Sequence, residues 1–329
     1  MPDLHDQFVT FHNQIALDTR RKDALRISRD SVRTKIRNHF TDKLELKSPR
    51  FHAQGSFAMV TTVVPIDGEF DLDDGVYLQH LDESDQSDWP KTEAVHRWLV
   101  DAVNGHTNES PIDKATCVRL RYKGSYHLDL PSYAKCNGEY FLAVKGDAQW
   151  KKSDPKAITD WFKGRIKERG EQLRRMVRCL KAWDDYQSGQ RGSLANGLIL
   201  TVMADRWYCP IADQDDDVFA NMVIAINAEI KHVLSVRNPV DHGEDLASRL
   251  DGARSKRIQE AFADLAQDAE NARNAKTKAK ASEIWQRQFG SRFPLMTEDE
   301  EKEQARKDAD ALTSFYAPRN PPQPWATLR

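Results

Sequence analysis

The run Phe70-Asp71-Leu72-Asp73-Asp74-Gly75-Val76 constrains this chain more than any other. Side chains of a β-strand alternate between faces, so Asp71 and Asp73 share one face while Phe70 and Leu72 enter the opposite, apolar layer. Such a strand belongs in a layered fold with one face turned to a polar cleft. Two carboxylates roughly 7 Å apart along a strand repel each other unless a cation lies between them. Hard divalent ions with oxygen ligands, Mg2+ above all, match that arrangement.

A second run has the same grammar. In Tyr126-His127-Leu128-Asp129-Leu130-Pro131 the carboxylate of Asp129 is flanked by two leucines. If the two strands are neighbours, three aspartates converge and hold a two-metal site. Such a site activates an attacking hydroxyl and stabilises the leaving oxygen of an in-line displacement at phosphorus. Asp129 is the natural base, because it is not shared along the first strand. Ahead of both runs stands Gln54-Gly55-Ser56-Phe57. Glycine lets backbone approach a phosphate, and successive N–H groups with the Ser56 hydroxyl make an anion cradle. Taken singly, Gly-Ser is usually a turn, and Asp-x-Asp-Asp-Gly is often a loop or half of a calcium site. No Glu follows at EF-hand spacing and the flanks are strand-like, which argues against calcium. The three elements in this order point to chemistry.

The rest of the chain frames that core. No Pro or Gly intervenes between Asp3 and Pro49, and Leu4, Phe8, Phe11, Ile15, Leu25, Val32, Ile36 and Phe40 recur at helical spacing. One long amino-terminal helix is expected, with Arg20 to Arg37 as a solvated basic face or, alternatively, a ligand-binding one. Strands are expected at 60–66, 69–78, 115–122, 126–134 and 140–144, with an Asn137-Gly138 hairpin turn and a turn at Gly124. A helix at 91–103 interrupts them. After Trp150 the pattern is helical: 172–186, 194–207, 218–236, at least one helix within 243–289, and a charged one at 298–312.

These residues resemble the DNA-polymerase-β-type nucleotidyltransferase superfamily, in which a Gly-Ser or Gly-Gly precedes paired and then single strand-borne acids. Within it, Gln54 to Met59, Asp71 to Tyr77 and His127 to Pro131 are similar to the bacterial CD-NTases, relatives of animal cyclic GMP-AMP synthase and oligoadenylate synthase. Arg178-Cys179-Leu180-Lys181-Ala182-Trp183 resembles the family's Lys-Ala-Trp helix, and 238–246 its later helical linker. The resemblance covers about residues 50–295.

It implies an α+β fold: a polymerase-β-like core with a mixed β-sheet, a long N-terminal helix and a C-terminal helical lobe. The expected division is 1–47 for the helix packing across both lobes, 48–160 for the nucleotidyltransferase core, 161–316 for the helical lobe and 317–329 for a Pro-rich tail. It implies catalysis and metal binding by Asp71, Asp73 and Asp129, with two Mg2+ ions (Mn2+ as a substitute). Gln54, Gly55, Ser56 and Lys181 are expected on the nucleotide. Alone, Lys181 at the border of an apolar stripe reads as a surface lysine; the resemblance places it on a triphosphate. Where the family often has Pro-Ser-Gly, this chain has Leu194-Ala195-Asn196-Gly197, so Asn196 or nearby Ser193 is the expected phosphate contact.

The implied activity joins and cyclises two or three NTPs, ATP and GTP foremost, into a cyclic oligonucleotide messenger of anti-phage (CBASS) signalling. The product reaches a downstream effector, and operon-encoded regulatory proteins are expected partners. A transferase making linear oligonucleotides or modifying RNA or a small molecule, and a silent nucleotide sensor, are the alternatives. No His/Cys cluster matches the zinc insertion of the animal DNA sensor, so activation by DNA is not implied.

Composition narrows the setting. Over 329 residues, 49 Lys+Arg against 51 Asp+Glu give a net charge of −2, which disfavours coating a nucleic acid polymer by bulk charge. Four scattered cysteines without a CxxC pair disfavour a disulfide scaffold or zinc ribbon. No apolar run approaches the ~18 residues of a membrane span, and no secretory signal is apparent at the amino terminus. A cytoplasmic enzyme with no membrane partner is expected.

Overall fold

The computed structural model describes residues 2–66, 68–122, 126–146 and 150–316. The expected Pro-rich tail and the turn at Gly124 lie outside these residues.

The amino-terminal helical run is two helices, α1 (His5–Ile15) and α2 (Thr19–Asp42), not the one expected. No Gly or Pro is needed to break it. Asp18 caps α2 by accepting from the Arg21 N–H at 2.7 Å, and Ala16 pairs as an isolated bridge with Val63. The break lets the two helices serve different cores. Leu4, Phe8, Phe11 and Ile15 of the first segment pack into the helical half. Leu25, Val32, Ile36 and Phe40 of α2 pack onto the sheet.

Strand β1 (Arg50–Gln54) leads into the short helix α3 (Gly55–Ala58), and β2 (Phe70–Tyr77) carries the paired aspartates. The expected strand at 60–66 is a loop instead. Val60 sits at a φ of 57°, a conformation costly for a β-branched residue, and the Thr61 N–H turns back to the Ser56 carbonyl at 2.8 Å. Then come α4 (Thr92–Val103), β3 (Ile112–Asp113), β4 (Val118–Tyr122), β5 (Tyr126–Leu130), β6 (Ser132–Cys136), β7 (Glu139–Ala143) and β8 (Trp150–Lys152).

β2 is the axis of this mixed sheet. It pairs antiparallel with β1 on one side and parallel with β5 and β6 on the other. The stretch expected as one strand at 126–134 is interrupted at Pro131, whose missing N–H breaks the ladder while its carbonyl still accepts from the Val76 N–H at 2.8 Å. β4 adds antiparallel to β5, and β7 to β6 through the expected Asn137-Gly138 turn, with φ of 49° and 86°. Leu72, Val76, Leu120, Leu128 and Leu130 fill the layer between the sheet and helices α2 and α4.

The helical half follows: α5 (Pro155–Arg169), α6 (Glu171–Arg191), α7 (Gly197–Trp207), α8 (Asp215–Ile230), α9 (Gly252–Arg273), α10 (Lys278–Phe289) and α11 (Glu298–Tyr316). The stretch 243–289 thus holds two α-helices, preceded by a 3-10 turn at Leu246–Arg249. Trp183, Phe219, Phe262 and Phe289 centre a second core into which α1 is inserted. Among the described residues no helix is long and apolar enough to cross a membrane.

Candidate active site

The alternation of β2 places Asp71 and Asp73 on one face, as expected, and Asp74 on the other. Asp73 stands in register with Asp129 across the parallel β2–β5 pair, and Asp71 with His127. Asp74 turns to the other face. There its fully buried carboxylate accepts from Arg33 of α2, Nε at 2.7 Å and Nη2 at 2.5 Å. Asp74 is therefore a tie between α2 and the sheet, with no part in the cleft.

One cation spans the acidic group. Arg119, paired across β4–β5 with Asp129, donates from Nε to Asp129 Oδ1 at 2.6 Å and from Nη2 to Oδ2 at 2.7 Å. The same Nη2 reaches Asp71 Oδ1 at 3.0 Å. The hydrogen bonds that Arg119 donates to Asp129 hold the guanidinium well above its usual range against the opposing effect of burial. Among the described residues Asp73 has no such hydrogen-bonded partner. Burial, then repulsion from Asp129 and Asp71, pushes its carboxyl up to about 7. His127 adds contacts at 3.4 Å to Asp71 and 3.3 Å to Glu69. Among the described residues no three His, Cys, Asp or Glu side chains are gathered at the spacing of a single ion, since the arginine stands between Asp71 and Asp129. The donor set is nonetheless all carboxylate oxygen with an unbalanced member in Asp73, which fits a hard divalent cation.

Gly55 brings backbone against those carboxylates. Its φ is 65°, and a Cβ there would stand 2.2 Å from Asp73 Oδ2, so only glycine fits. Ser56 follows in α3, its hydroxyl 3.0 Å from that of Thr62. Gln54 is buried, and its side-chain amide donates to the Tyr133 hydroxyl at 3.1 Å.

Lys181 comes from the other half of the molecule. It is 9% exposed, and its Nζ donates to Thr61 Oγ1 at 2.9 Å, in the loop that follows Ser56. Burial, reinforced by Arg178 and opposed by Asp73, lowers its ammonium to about 7. It is an interlobe residue, against its reading as a surface lysine. Gly197 packs close enough that a Cβ would lie 3.3 Å from Lys181 Cε, so the start of α7 is the wall beside it. Asn196 caps that helix, its side-chain oxygen accepting from the Leu198 and Ile199 N–H groups at 3.1 and 2.9 Å. Ser193 is turned towards α9, where Arg257 reaches its carbonyl at 3.5 Å. No hydrogen bond among the described residues joins it to Ser56 or Lys181.

The structure thus brings Asp71, Asp73, Asp129, Gly55, Ser56 and Lys181 to one interlobe region, with Asn196 at its edge. Arg119 was not singled out from sequence. Its signal is the same as that of Asp129: a charge between apolar neighbours in Val118-Arg119-Leu120. A cavity of about 380 Å³ lies further along the same interlobe boundary, lined among others by Ser153, Asp154, Leu198, Asn238 and Asp241.

Residues 49–133, which carry Gly55, Ser56 and all three aspartates, match the model of the family described as cyclic GMP-AMP synthase DncV-like, nucleotidyltransferase domain. This stretch is a DncV-like nucleotidyltransferase domain. Alignment continues beyond the nucleotidyltransferase domain: the cyclic GMP-AMP synthase of Escherichia albertii is 30% identical over 204 residues, 59% of this chain and 44% of that protein. The match spans less than half the length of the curated relatives. The crystal structure of Vibrio cholerae DncV cyclic AMP-GMP synthase superposes with a TM-score of 0.74 at 20% identity, covering 89% of this chain and 98% of that one. Its complex with the linear intermediate 5' pppA(3',5')pG gives 0.73 at 21% identity over the same shares. The DncV-like domain and the helical half together therefore have the polymerase-β-like fold of that enzyme.

Proposed function

We propose that this chain is a metal-dependent nucleotidyltransferase that joins two or three NTPs and closes them into a cyclic oligonucleotide. The observation that carries the reading is the register of Asp73 with Asp129, with Asp71 on the same face, beside Gly55–Ser56 from one half of the molecule and Lys181 from the other. Asp71, Asp73 and Asp129 would hold Mg2+, or Mn2+ in its place, which supplies positive charge at the α-phosphate and acidifies the attacking hydroxyl.

The chain's own residues account for the rest. Gly55 lets backbone N–H groups meet the triphosphate, Ser56 offers a hydroxyl, and Lys181 a charge. Asn196 has spent its side-chain oxygen on the α7 cap, so its amide nitrogen is the group left to meet a phosphate. Asp129 accepts the proton of the attacking ribose hydroxyl when Arg119 yields one of its two hydrogen bonds. Attack at the α-phosphate releases pyrophosphate. A second transfer within the bound dinucleotide closes the ring, and holding both nucleotides makes that step effectively unimolecular.

The name of the E. albertii relative and the pppA–pG intermediate in the V. cholerae structure support ATP and GTP as substrates and cyclic GMP-AMP as product. A cytoplasmic role in anti-phage (CBASS) signalling, through an effector that binds the product, goes with this reading. Pyrophosphate release from ATP and GTP with Mg2+ tests it. The wild type is expected to release pyrophosphate, and Asp71→Ala and Asp73→Ala none. A silent wild type would make the protein a nucleotide sensor instead.

A further inference from the structure

Beside the Ser56–Lys181 cradle lies a set of cations that the chemistry above does not use. Arg178, one turn before Lys181 on α6, is 8% exposed. Its Nη2 donates to the Val60 carbonyl at 2.5 Å and its Nη1 lies 2.5 Å from His12 Nε2, while its buried Nε has no hydrogen-bond partner among the described residues. Lys22 and Arg26, one turn apart on α2, face it across a cavity of about 50 Å³ that is also lined by Leu17, Phe57, Val60 and Thr62. Thr62 is the residue whose hydroxyl meets that of Ser56. Among the described residues neither Lys22 nor Arg178 forms an ion pair with a carboxylate, and Arg26 meets only Asp23 on its solvent side.

Like charges facing one another across a cavity, with no carboxylate lining it, are unfavourable unless an anion completes them. The strain is visible in the groups themselves. Burial, then Arg174, brings the Arg178 guanidinium down to about 10, and burial followed by Arg178 and Arg26 lowers the Lys22 ammonium. Val60, which lines the same cavity, is held in its left-handed conformation with its carbonyl on Arg178. Lys22 and Arg26 line the partly exposed side of this cavity, and Thr62 lines it beside Ser56.

We propose that Lys22, Arg26 and Arg178 form a binding site for inorganic pyrophosphate, continuous with the Ser56–Lys181 cradle, through which the leaving group departs. The identity of the anion rests on the nucleotidyl-transfer reading; the cationic site does not. Arg178 draws the anion off the cradle, and Lys22 and Arg26 hand it to solvent. The proposal gives the break between α1 and α2 a purpose, since it starts α2 where Lys22 and Arg26 can meet α6.

The test is calorimetric titration of the full chain with sodium pyrophosphate at fixed ionic strength, without divalent ions. The double variant Lys22→Gln/Arg26→Gln, at partly exposed positions, is expected to lose about tenfold or more in affinity. Arg20→Gln/Arg21→Gln, which removes the same charge from the outer face of α2, is expected to stay within about twofold of wild type. Equal affinities in wild type and the Lys22/Arg26 variant, or equal losses in both variants, would overturn the proposal. Arg178→Lys, which keeps the charge but not the fork, is expected to weaken binding as well, and thermal unfolding checks that it remains folded. Pyrophosphate release from NTPs is scored separately. Release without a Lys22/Arg26 effect on binding rejects this site alone, and the binding effect without release rejects only the transfer reaction.

Discussion

The α-carbon of Gly55 lies so near the carboxylate of Asp73 that a Cβ would stand 2.2 Å from Oδ2. The glycine also holds a φ of 65°, which alanine adopts at a cost of about 1 kcal/mol or more. Gly55→Ala is therefore expected to push Asp73 out of line, and a displacement of about 1 Å is enough to cost on the order of a hundredfold in rate. Pyrophosphate release alongside a melting curve checks this. A variant with wild-type turnover would show that the Gly55–Asp73 contact is not needed.

Arg119 neutralises Asp129 and Asp71 at the place where a divalent cation would do the same. Removing one partner of a fully buried pair costs about 3–5 kcal/mol when the other is left uncompensated, and a part-buried pair such as Arg119–Asp129 costs less. Arg119→Gln is thus expected to lower the melting temperature and, by leaving the carboxylates to a metal alone, to bind Mn2+ more tightly. Mn2+ titration followed by electron paramagnetic resonance reads this directly. A weaker Mn2+ affinity would mean that the arginine organises the carboxylates for metal rather than competing with it.

Asp73, raised to about 7, sets a pH window for metal. Below that value the folded protein keeps the carboxyl protonated, so a cation must displace a proton to bind. Metal affinity is expected to rise with pH up to about 7 and to level off above it. In the absence of metal the same shift works against folding: between the ordinary carboxyl value and about 7 the folded state holds the extra proton, so stability falls as pH rises across that window. Mn2+ titrations between pH 5.5 and 8, roughly a unit or more on either side of Asp73, measure the first effect.

Lys181 behaves in the opposite sense. Its ammonium is lowered to about 7 by burial and Arg178, and a bound triphosphate would restore the proton. Binding of a non-hydrolysable NTP at pH 8 is expected to take up a proton, and its affinity to fall as pH rises through 7. Titration in buffers of different ionisation enthalpy counts that proton. Lys181→Met should abolish the uptake and weaken binding about tenfold or more.

Much of this site was legible because alternation is a local rule. Asp71 and Asp73 share a face whatever else the chain does, and Asp129 carries the same apolar flanks. The same rule sends Asp74 to the opposite face, where it meets Arg33. What sequence left open depends on contacts distant along the chain. Arg119 is an ordinary strand charge until β4 sets it opposite Asp129. The burial of Lys181 follows from a loop contact 120 residues away, at Thr61. The break between α1 and α2 was masked because it uses an Asp18 cap and an Ala16–Val63 bridge in place of Gly or Pro. The loop at 60–64 has strand-forming residues but is folded back by Val60 and gripped by Arg178.

The central claim is that these carboxylates and this cradle join nucleotides into a ring. Mass spectrometry of the products from all four NTPs with Mg2+, before and after phosphatase treatment, tests it most directly. The expected result is a phosphatase-resistant cyclic oligonucleotide with adenine and guanine, formed by the wild type and absent from Asp73→Ala. Products that all lose terminal phosphates to phosphatase, or NTPs returned unchanged, would contradict it.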